Sequence, residues 1–284
     1  MQKIDLRNFN GKNVADAIVF AENLSNKDLE GKVNAHKIYS FLIDQIPNIY
    51  QHPHASVRGN LRKKLWNLER HFNWNESFHS QFGQDKFIND YFFKNIKNGF
   101  FVEIGAYDGV SGSNCFYFEK HKNWDGIAIE PSLQQFAFLQ KNRKCLCLNT
   151  AITKNAETKE FIDVIDGYTM MSGINDKSYY KATLDTINQD PRTQVEKRFI
   201  ETSTIEKILN KNNLIDYLSI DVEGGEMEIL ESIDFDFYNI KVISVENNKP
   251  EEIVFDKLLK RKGFEYADKL GVDEIFYNKK YFSL

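Results

Sequence analysis

Residues 99–131, GFFVEIGAYDGVSGSNCFYFEKHKNWDGIAIEP, leave few folds open to this chain. The apolar run of Phe100, Phe101 and Val102 continues through Ile104 to Ala106, the near-continuous pattern of a strand buried on both faces of a parallel sheet. It breaks into a turn carrying Gly105, Asp108 and Gly109, and a helix-like segment follows from Ser113 to about His121. Gly126 to Ile129 reads as a second strand, with Glu130 at its end and Pro131 stopping it. Strand, glycine turn, helix and a strand ending in a carboxylate make the first half of a nucleotide-binding α/β sheet.

Each part of that pattern has a chemical use. Glycines in the turn let backbone approach a ligand with no Cβ in the way and tolerate positive φ. A carboxylate ending the second strand, Glu130, can accept hydrogen bonds from both hydroxyls of a ribose. The spacing Glu103-x-Gly105-x-x-x-Gly109 is not the G-x-G-x-x-G of dinucleotide enzymes, which argues against an NAD-dependent dehydrogenase. Glu103, ahead of the first glycine, is suited to the ammonium of an amino-acid moiety or to the backbone of the turn. S-adenosylmethionine, adenosine joined to an amino acid, fits this better than NAD. The expected cradle is Gly105, Ala106, Asp108, Gly109, Ser113, Asn114, Glu130 and Pro131, together with Glu103.

Six blocks carry a family resemblance. VEIGAYDGVSGSN, WDGIAIEP and DYLSIDVEGGEMEIL (Asp216 to Leu230), supported by SQFGQDKFI (Ser80 to Ile88), KVISVENN (Lys241 to Asn248) and GVDEIFYN (Gly271 to Asn278), resemble the FkbM-type S-adenosylmethionine-dependent methyltransferases in order and spacing. The resemblance spans about Ser80 to Asn278. It implies a class I methyltransferase (Rossmann-like) fold, a seven-stranded mostly parallel sheet with helices on both faces and a terminal antiparallel hairpin. It also implies hydroxyl acceptors, in bacteria often sugars of surface polysaccharides. By the same resemblance Gln81 and Asp85 lie near the amino-acid end of the cofactor; their plainer reading is capping and packing.

The 284 residues suffice for one large α/β domain with an appendage, and a formal net charge of -4 gives no global basic field to attract nucleic acid or an anionic membrane. With neither a secretory segment nor a run of membrane-spanning length, the expectation is a soluble cytoplasmic protein. Three cysteines, two of them alternating at Cys145 and Cys147, read as reduced thiols rather than a disulfide or a metal pair. We expect a helical extension over 1–77 and the methyltransferase domain over 78–284. In the extension, helical spacing recurs at Val14, Ala17, Ile18 and Ala21 and at Ile38, Phe41 and Leu42. Ser56 to Trp74 forms a basic amphipathic helix with Leu61, Leu65 and Leu68 opposite Arg62, Lys63 and Lys64. This region suits a homodimer contact or acceptor binding, against the plainer reading of a helix packed on the core. His52 and His54 read as a loop rather than a zinc site.

Further expectations follow in chain order. Gln81 to Lys94 forms a helix with Phe82, Phe87, Ile88, Tyr91 and Phe92 facing the core. A helix covers Leu133 to Asn142 and a third strand Lys144 to Ala151. A strand lies at Phe161 to Ile165, and an irregular binding loop or lid runs from Asp166 to about Arg198. A capping box at Ser203 and Glu206 opens a helix to about Lys211. Pro250 sits in the first turn of a helix that Gly263 ends.

Four expected strand ends carry acids, Glu103, Glu130, Asp221 and Glu246, and ligands of open α/β sheets bind at that rim. Asp221 with Glu246 and Asn247 is similar to the Mg²⁺ site of catechol O-methyltransferase-like enzymes, three oxygen ligands that waters and substrate would complete. The competing reading has Asp221 touching cofactor or substrate directly and Glu246 as general base, without metal. The lysine base of the catechol enzymes falls on Gly224, which leaves Glu223 as a candidate base. The combined expectation is an O-methyltransferase using S-adenosylmethionine and Mg²⁺ on a sugar hydroxyl, nucleotide-linked or in a surface polysaccharide. The alternatives are a polyketide-like natural product as acceptor, or a non-catalytic cofactor-binding module.

Overall fold

The computed structural model describes residues 14–48, 50, 54–176, 181–209 and 214–282. His52, Pro53 and Lys211 lie outside these residues, and His54 opens a helix. The main sheet contains β1 (Phe100–Ile104), β2 (Asp125–Ile129), β3 (Leu146–Leu148), β8 (Leu214–Ile220), β9 (Asn239–Glu246), β10 (Phe264–Leu270) and β11 (Asp273–Asn278). Their order across it is β10-β11-β9-β8-β1-β2-β3. The five strands from β9 to β3 pair in parallel, whereas β11 pairs antiparallel with both β9 and β10, so the sheet is mixed. The strand order reverses outward from β1 and β8, which makes their carboxyl ends the natural crevice.

Alternation along the strands separates two cores. Val102, Ile104, Leu218 and Ile220 face α8 (Ile205–Leu209), α9 (Glu226–Ser232) and α10 (Phe255–Arg261). Phe101, Ala128 and Tyr217 face the opposite way. There they meet α4 (Gln84–Ile88), α5 (Phe116–Lys122) and α6 (Leu133–Asn142). Ser132 caps α6 by accepting from the Gln135 N–H. All three cysteines are free thiols.

The strand expected at Phe161 to Ile165 is present, and the region expected to be irregular adds two more strands to a second sheet. Its strands, β4 (Ala151–Ile152), β5 (Thr158–Asp166), β6 (Gly173–Ile174) and β7 (Gln194–Ser203), run in the order β4-β7-β5-β6, and α7 (Lys181–Ile187) lies between β6 and β7. The third strand is therefore shorter than expected, because the chain turns into the second sheet at Ala151. Ser203 ends β7 rather than capping a helix; the cap of α8 is Thr204, whose Oγ1 accepts from the Lys207 N–H. Pro250 lies ahead of α10, not in its first turn.

Helices α1 (Val14–Ser25), α2 (Leu29–Gln45) and α3 (His54–His71) share a core built on Ala17, Ala21, Ile38, Leu42, Leu61 and Leu68. The basic side of α3 is not left to solvent. Arg58 and Arg62 both pair with Asp268 of β10, Lys64 pairs with Glu22, and Lys63 lies over the Phe82 ring. A π-turn at Asn89–Phe93 follows α4 and shifts the helical phase, so Tyr91 is exposed instead of joining Phe87, Ile88 and Phe92 in the core. Among the described residues, no helix is long and apolar enough to cross a membrane.

Candidate active site

A cavity of about 420 Å³ opens at the carboxyl ends of β1, β2, β8 and β9. That is within the usual range for small-molecule sites, roughly 300–1,000 Å³. All four strand-end acids line it, and the segment from Gly167 to Ile174 crosses one side. Tyr107 Oη hydrogen-bonds Thr169 Oγ1 at 2.6 Å, tying that segment to the glycine turn. Gln81 lines the cavity and contacts Met170. Asp85 does not. Its carboxylate accepts from the N–H groups of His79, Ser80 and Lys86 and from the Ser80 hydroxyl, shaping the loop that holds Gln81. Burial pushes Asp85 up to about 6.

Why β1 must end in glycine is visible in the packing. Gly105 has φ of 86°, and a Cβ there would stand 1.7 Å from the Asp221 carbonyl oxygen. The β1 and β8 ends therefore touch through backbone, and any side chain at 105 would force them apart. Asp108 braces the turn by accepting from the N–H groups of Val110 and Ser111 and from the Ser111 hydroxyl. Gly109, also at positive φ, leaves room for Leu139 and Arg143.

Glu103 is taken up inside the protein. Its Oε1 accepts from Ser113 Oγ and from the N–H groups of Asn114 and Cys115. Its Oε2 accepts from Ser113 Oγ and from Arg143 Nη1, the latter at 2.8 Å. Arg143, with a side chain of no exposed surface, also pairs with Glu119 at 2.7 Å and lies over the rings of Phe101 and Phe116. Of the two roles open to Glu103 in the sequence, this geometry serves the turn's backbone. Glu130 is held differently. Each oxygen accepts one backbone N–H, from Tyr107 and from Ser132, both at 2.8 Å. Burial, with the charges of Asp163 and Asp221, raises it to about 7 against those two hydrogen bonds.

On the opposite side, Asp221, Glu223 and Glu246 bring carboxylate oxygens within 4.8 Å of one another. Glu223 has φ of 59°, a left-handed conformation uncommon outside glycine, and is followed by Gly224 and Gly225 at positive φ. The buried Glu226 holds this bend by accepting from the N–H groups of Val222 and Gly224. Burial and the neighbouring carboxylates raise Asp221 to about 7 and Glu223 to about 8, and push Glu246 well up. A hydrogen bond shared with Glu246 partly opposes the shift of Asp221. No lysine, arginine or histidine lies among the described lining residues.

Asn247 does not belong with these acids. Its amide donates to the Ile253 carbonyl and to Glu274, and its oxygen accepts from the Lys249 N–H. Neighbouring residues at a strand end point to opposite faces, so Glu246 entering the cavity turns Asn247 away. Glu223 stands where the third oxygen was expected. Arg143, Tyr107 and Glu226 carry no sequence signal, since their partners are distant or backbone; the paired glycines after Glu223 are the one local hint of its bend.

Among solved structures the chain is similar to a methyltransferase from Pyrococcus furiosus, at 15% identity over 68% of this chain and 79% of that one, with a TM-score of 0.33. It is also similar to the N-terminal domain of human METTL16, at 10% identity over 100% and 98% of the two chains, with a TM-score of 0.37. Likeness at that level carries no argument about function. No curated protein sequence matches the chain. The family comparison is decisive by extent, because residues 103–266, more than half the chain and every acid of the cavity, match the Methyltransferase FkbM domain. The chain belongs to the FkbM methyltransferase family.

Proposed function

We propose that this protein is an S-adenosylmethionine-dependent O-methyltransferase acting on a sugar hydroxyl, of a surface polysaccharide or a nucleotide-linked sugar. The observation that carries the reading is the division of one cavity between Glu130 at the end of β2 and the trio Asp221, Glu223 and Glu246 across from it. Glu130 spends one lone pair of each oxygen on backbone N–H groups, which leaves acceptors for two ribose hydroxyls. Pro131, Ala151, Phe161 and Ile174 supply an apolar wall suited to a purine. The cofactor supplies a methyl group on a sulfonium: as the acceptor oxygen bonds the methyl carbon, the carbon–sulfur bond breaks and its electron pair stays on sulfur.

The trio then has one task, removal of the hydroxyl proton. Glu223, raised to about 8, is a base whose proton affinity suits transfer near neutral pH. Asp221 and Glu246 beside it keep negative charge at the site and share the proton taken up. Three hard oxygen donors with no competing cation among the described lining residues also fit Mg²⁺. Bound there, Mg²⁺ would lower the pKa of the acceptor hydroxyl. A nucleotide-linked acceptor would depend on that ion, since no described lining residue offers its phosphates a positive charge.

Calorimetric titration with S-adenosylhomocysteine and with NAD, each with and without Mg²⁺, tests the cofactor. Binding of the homocysteine product alone, near micromolar, is expected; binding of NAD, or of neither, removes the reading. Methyl transfer to a panel of phosphate-free and nucleotide-linked sugars then separates the acceptors, with the nucleotide-linked ones responding to Mg²⁺.

A further inference from the structure

The methionine end of the cofactor carries an ammonium and a carboxylate, and Glu103, the residue most suited by sequence to the ammonium, already accepts from four donors, the Ser113 hydroxyl, the N–H groups of Asn114 and Cys115, and Arg143. Among the buried side-chain nitrogen and oxygen atoms that have no hydrogen-bond partner in the described structure, only Asn114 Oδ1 belongs to a residue lining the cavity. Asn114 is itself 6% exposed, so an unused acceptor there calls for a reason. Its orientation is fixed from the other end of the amide, where Nδ2 donates to Ser219 Oγ at 3.0 Å.

Ser219 completes the pair. Its Oγ also accepts from Ser244 Oγ at 3.3 Å, and Ser244 in turn hydrogen-bonds Tyr217 Oη at 2.7 Å, deep in the sheet. With two donors directed at Ser219 Oγ, the Ser219 proton has no acceptor within this chain of hydroxyls. Ser219 lines the same cavity. An unused oxygen beside an unused hydroxyl proton is the complement of an amino-acid zwitterion.

We propose that Asn114 and Ser219 form the amino-acid clamp of the cofactor site, with Asn114 Oδ1 accepting from the ammonium and the Ser219 hydroxyl donating to the carboxylate. Glu103 and Arg143 set the clamp in place from behind without touching the ligand. This assignment rests on the cofactor reading above. It goes beyond it by making recognition of the methionine end independent of recognition of the nucleoside, which falls to Glu130.

The test compares two ligands that share the nucleoside and differ in that end, S-adenosylhomocysteine and 5′-methylthioadenosine, titrated into the full chain. Asn114→Leu is expected to weaken S-adenosylhomocysteine by about tenfold or more, the worth of one hydrogen bond to a charged group, and to leave methylthioadenosine unchanged. Ser219→Ala should shift the same ratio by about threefold to tenfold. Asn114→Asp keeps the acceptor and should hold the ratio near that of the unaltered protein. If Asn114→Leu does not fold, Ser219→Ala and Asn114→Asp decide. An unchanged ratio in Ser219→Ala, or equal losses for both ligands, overturns the clamp while leaving the cofactor in place. If the unaltered protein binds neither ligand, the cofactor reading falls and the clamp with it.

Discussion

The two sides of the cavity hold their carboxylates in opposite electrostatic circumstances. On the β1–β2 side Glu103 is answered by a buried guanidinium and three residues' hydrogen-bond donors, while Glu130 keeps two backbone N–H groups that burial outweighs. On the β8–β9 side Asp221, Glu223 and Glu246 face chiefly one another, with Glu226 behind them, and their proton affinities rise accordingly. Charge that the fold neutralises is scaffold. Charge that the fold leaves uncompensated is available to a proton, a metal ion or a cationic ligand.

Breaking the Glu103–Arg143 pair should harm folding, and removing uncompensated charge should harm turnover at the trio and binding at Glu130. The largest expected effect is Arg143→Met, which strands Glu103 and Glu119 in the interior. It should cost about 3–5 kcal/mol of stability by urea denaturation, as breaking a buried ion pair does. A cost no greater than that of an exposed arginine would break the comparison. Next comes Asp221→Asn, expected to lower turnover by about a hundredfold to a thousandfold at a melting temperature no lower than that of the unaltered protein. Its affinity for S-adenosylhomocysteine should stay within about threefold, since the residue acts on the acceptor side. Full activity in that variant would remove the trio from the chemistry. Glu130→Ala tests the side meant for binding. A loss of about a hundredfold in S-adenosylhomocysteine affinity is expected, two hydrogen bonds to a carboxylate being removed, and retained affinity would sink the ribose assignment.

What the sequence showed of this site was what strand periodicity can show. Buried apolar strands ending in an acid identify Glu130 and Asp221, because a buried strand's end is where polarity returns. Likeness to the catechol enzymes places Glu246 and Asn247 on one metal, although adjacency on a strand separates side chains onto opposite faces. The bend that turns Glu223 inward depends on Glu226 holding two backbone N–H groups, a contact with no periodic signature. Arg143 sits in a run reading Lys-Asn-Arg-Lys-Cys that looks like a solvated loop; only the packing of α6 beneath the glycine turn makes it the counter-ion of Glu103. Strand β7 was invisible for a related reason. Residues 194–199, Arg198 apart, are exposed and lack apolar alternation, so their place is set by pairing with β5.

The smallest effect follows from the raised proton affinities and sharpens the comparison further. Asp221, at about 7, and Glu223, at about 8, hold protons in the folded chain that an unfolded chain, with carboxyls near 4, has released. The folded state therefore binds more protons across that window, so this contribution to stability is complete below about pH 4 and is lost as pH rises toward about 8. Unfolding free energies from urea titrations at about pH 5 to about pH 8.5 should fall by about 1.4 kcal/mol per pH unit for each proton the folded trio still holds, and Glu223→Gln should flatten the fall. Mg²⁺ distinguishes the two occupants the trio could take. A divalent ion held by three ionised carboxylates displaces their protons, so saturating Mg²⁺ should raise stability most at high pH and abolish the slope. A slope indifferent to Mg²⁺ would leave the trio as a shared-proton base, with Glu223 taking the hydroxyl proton unaided.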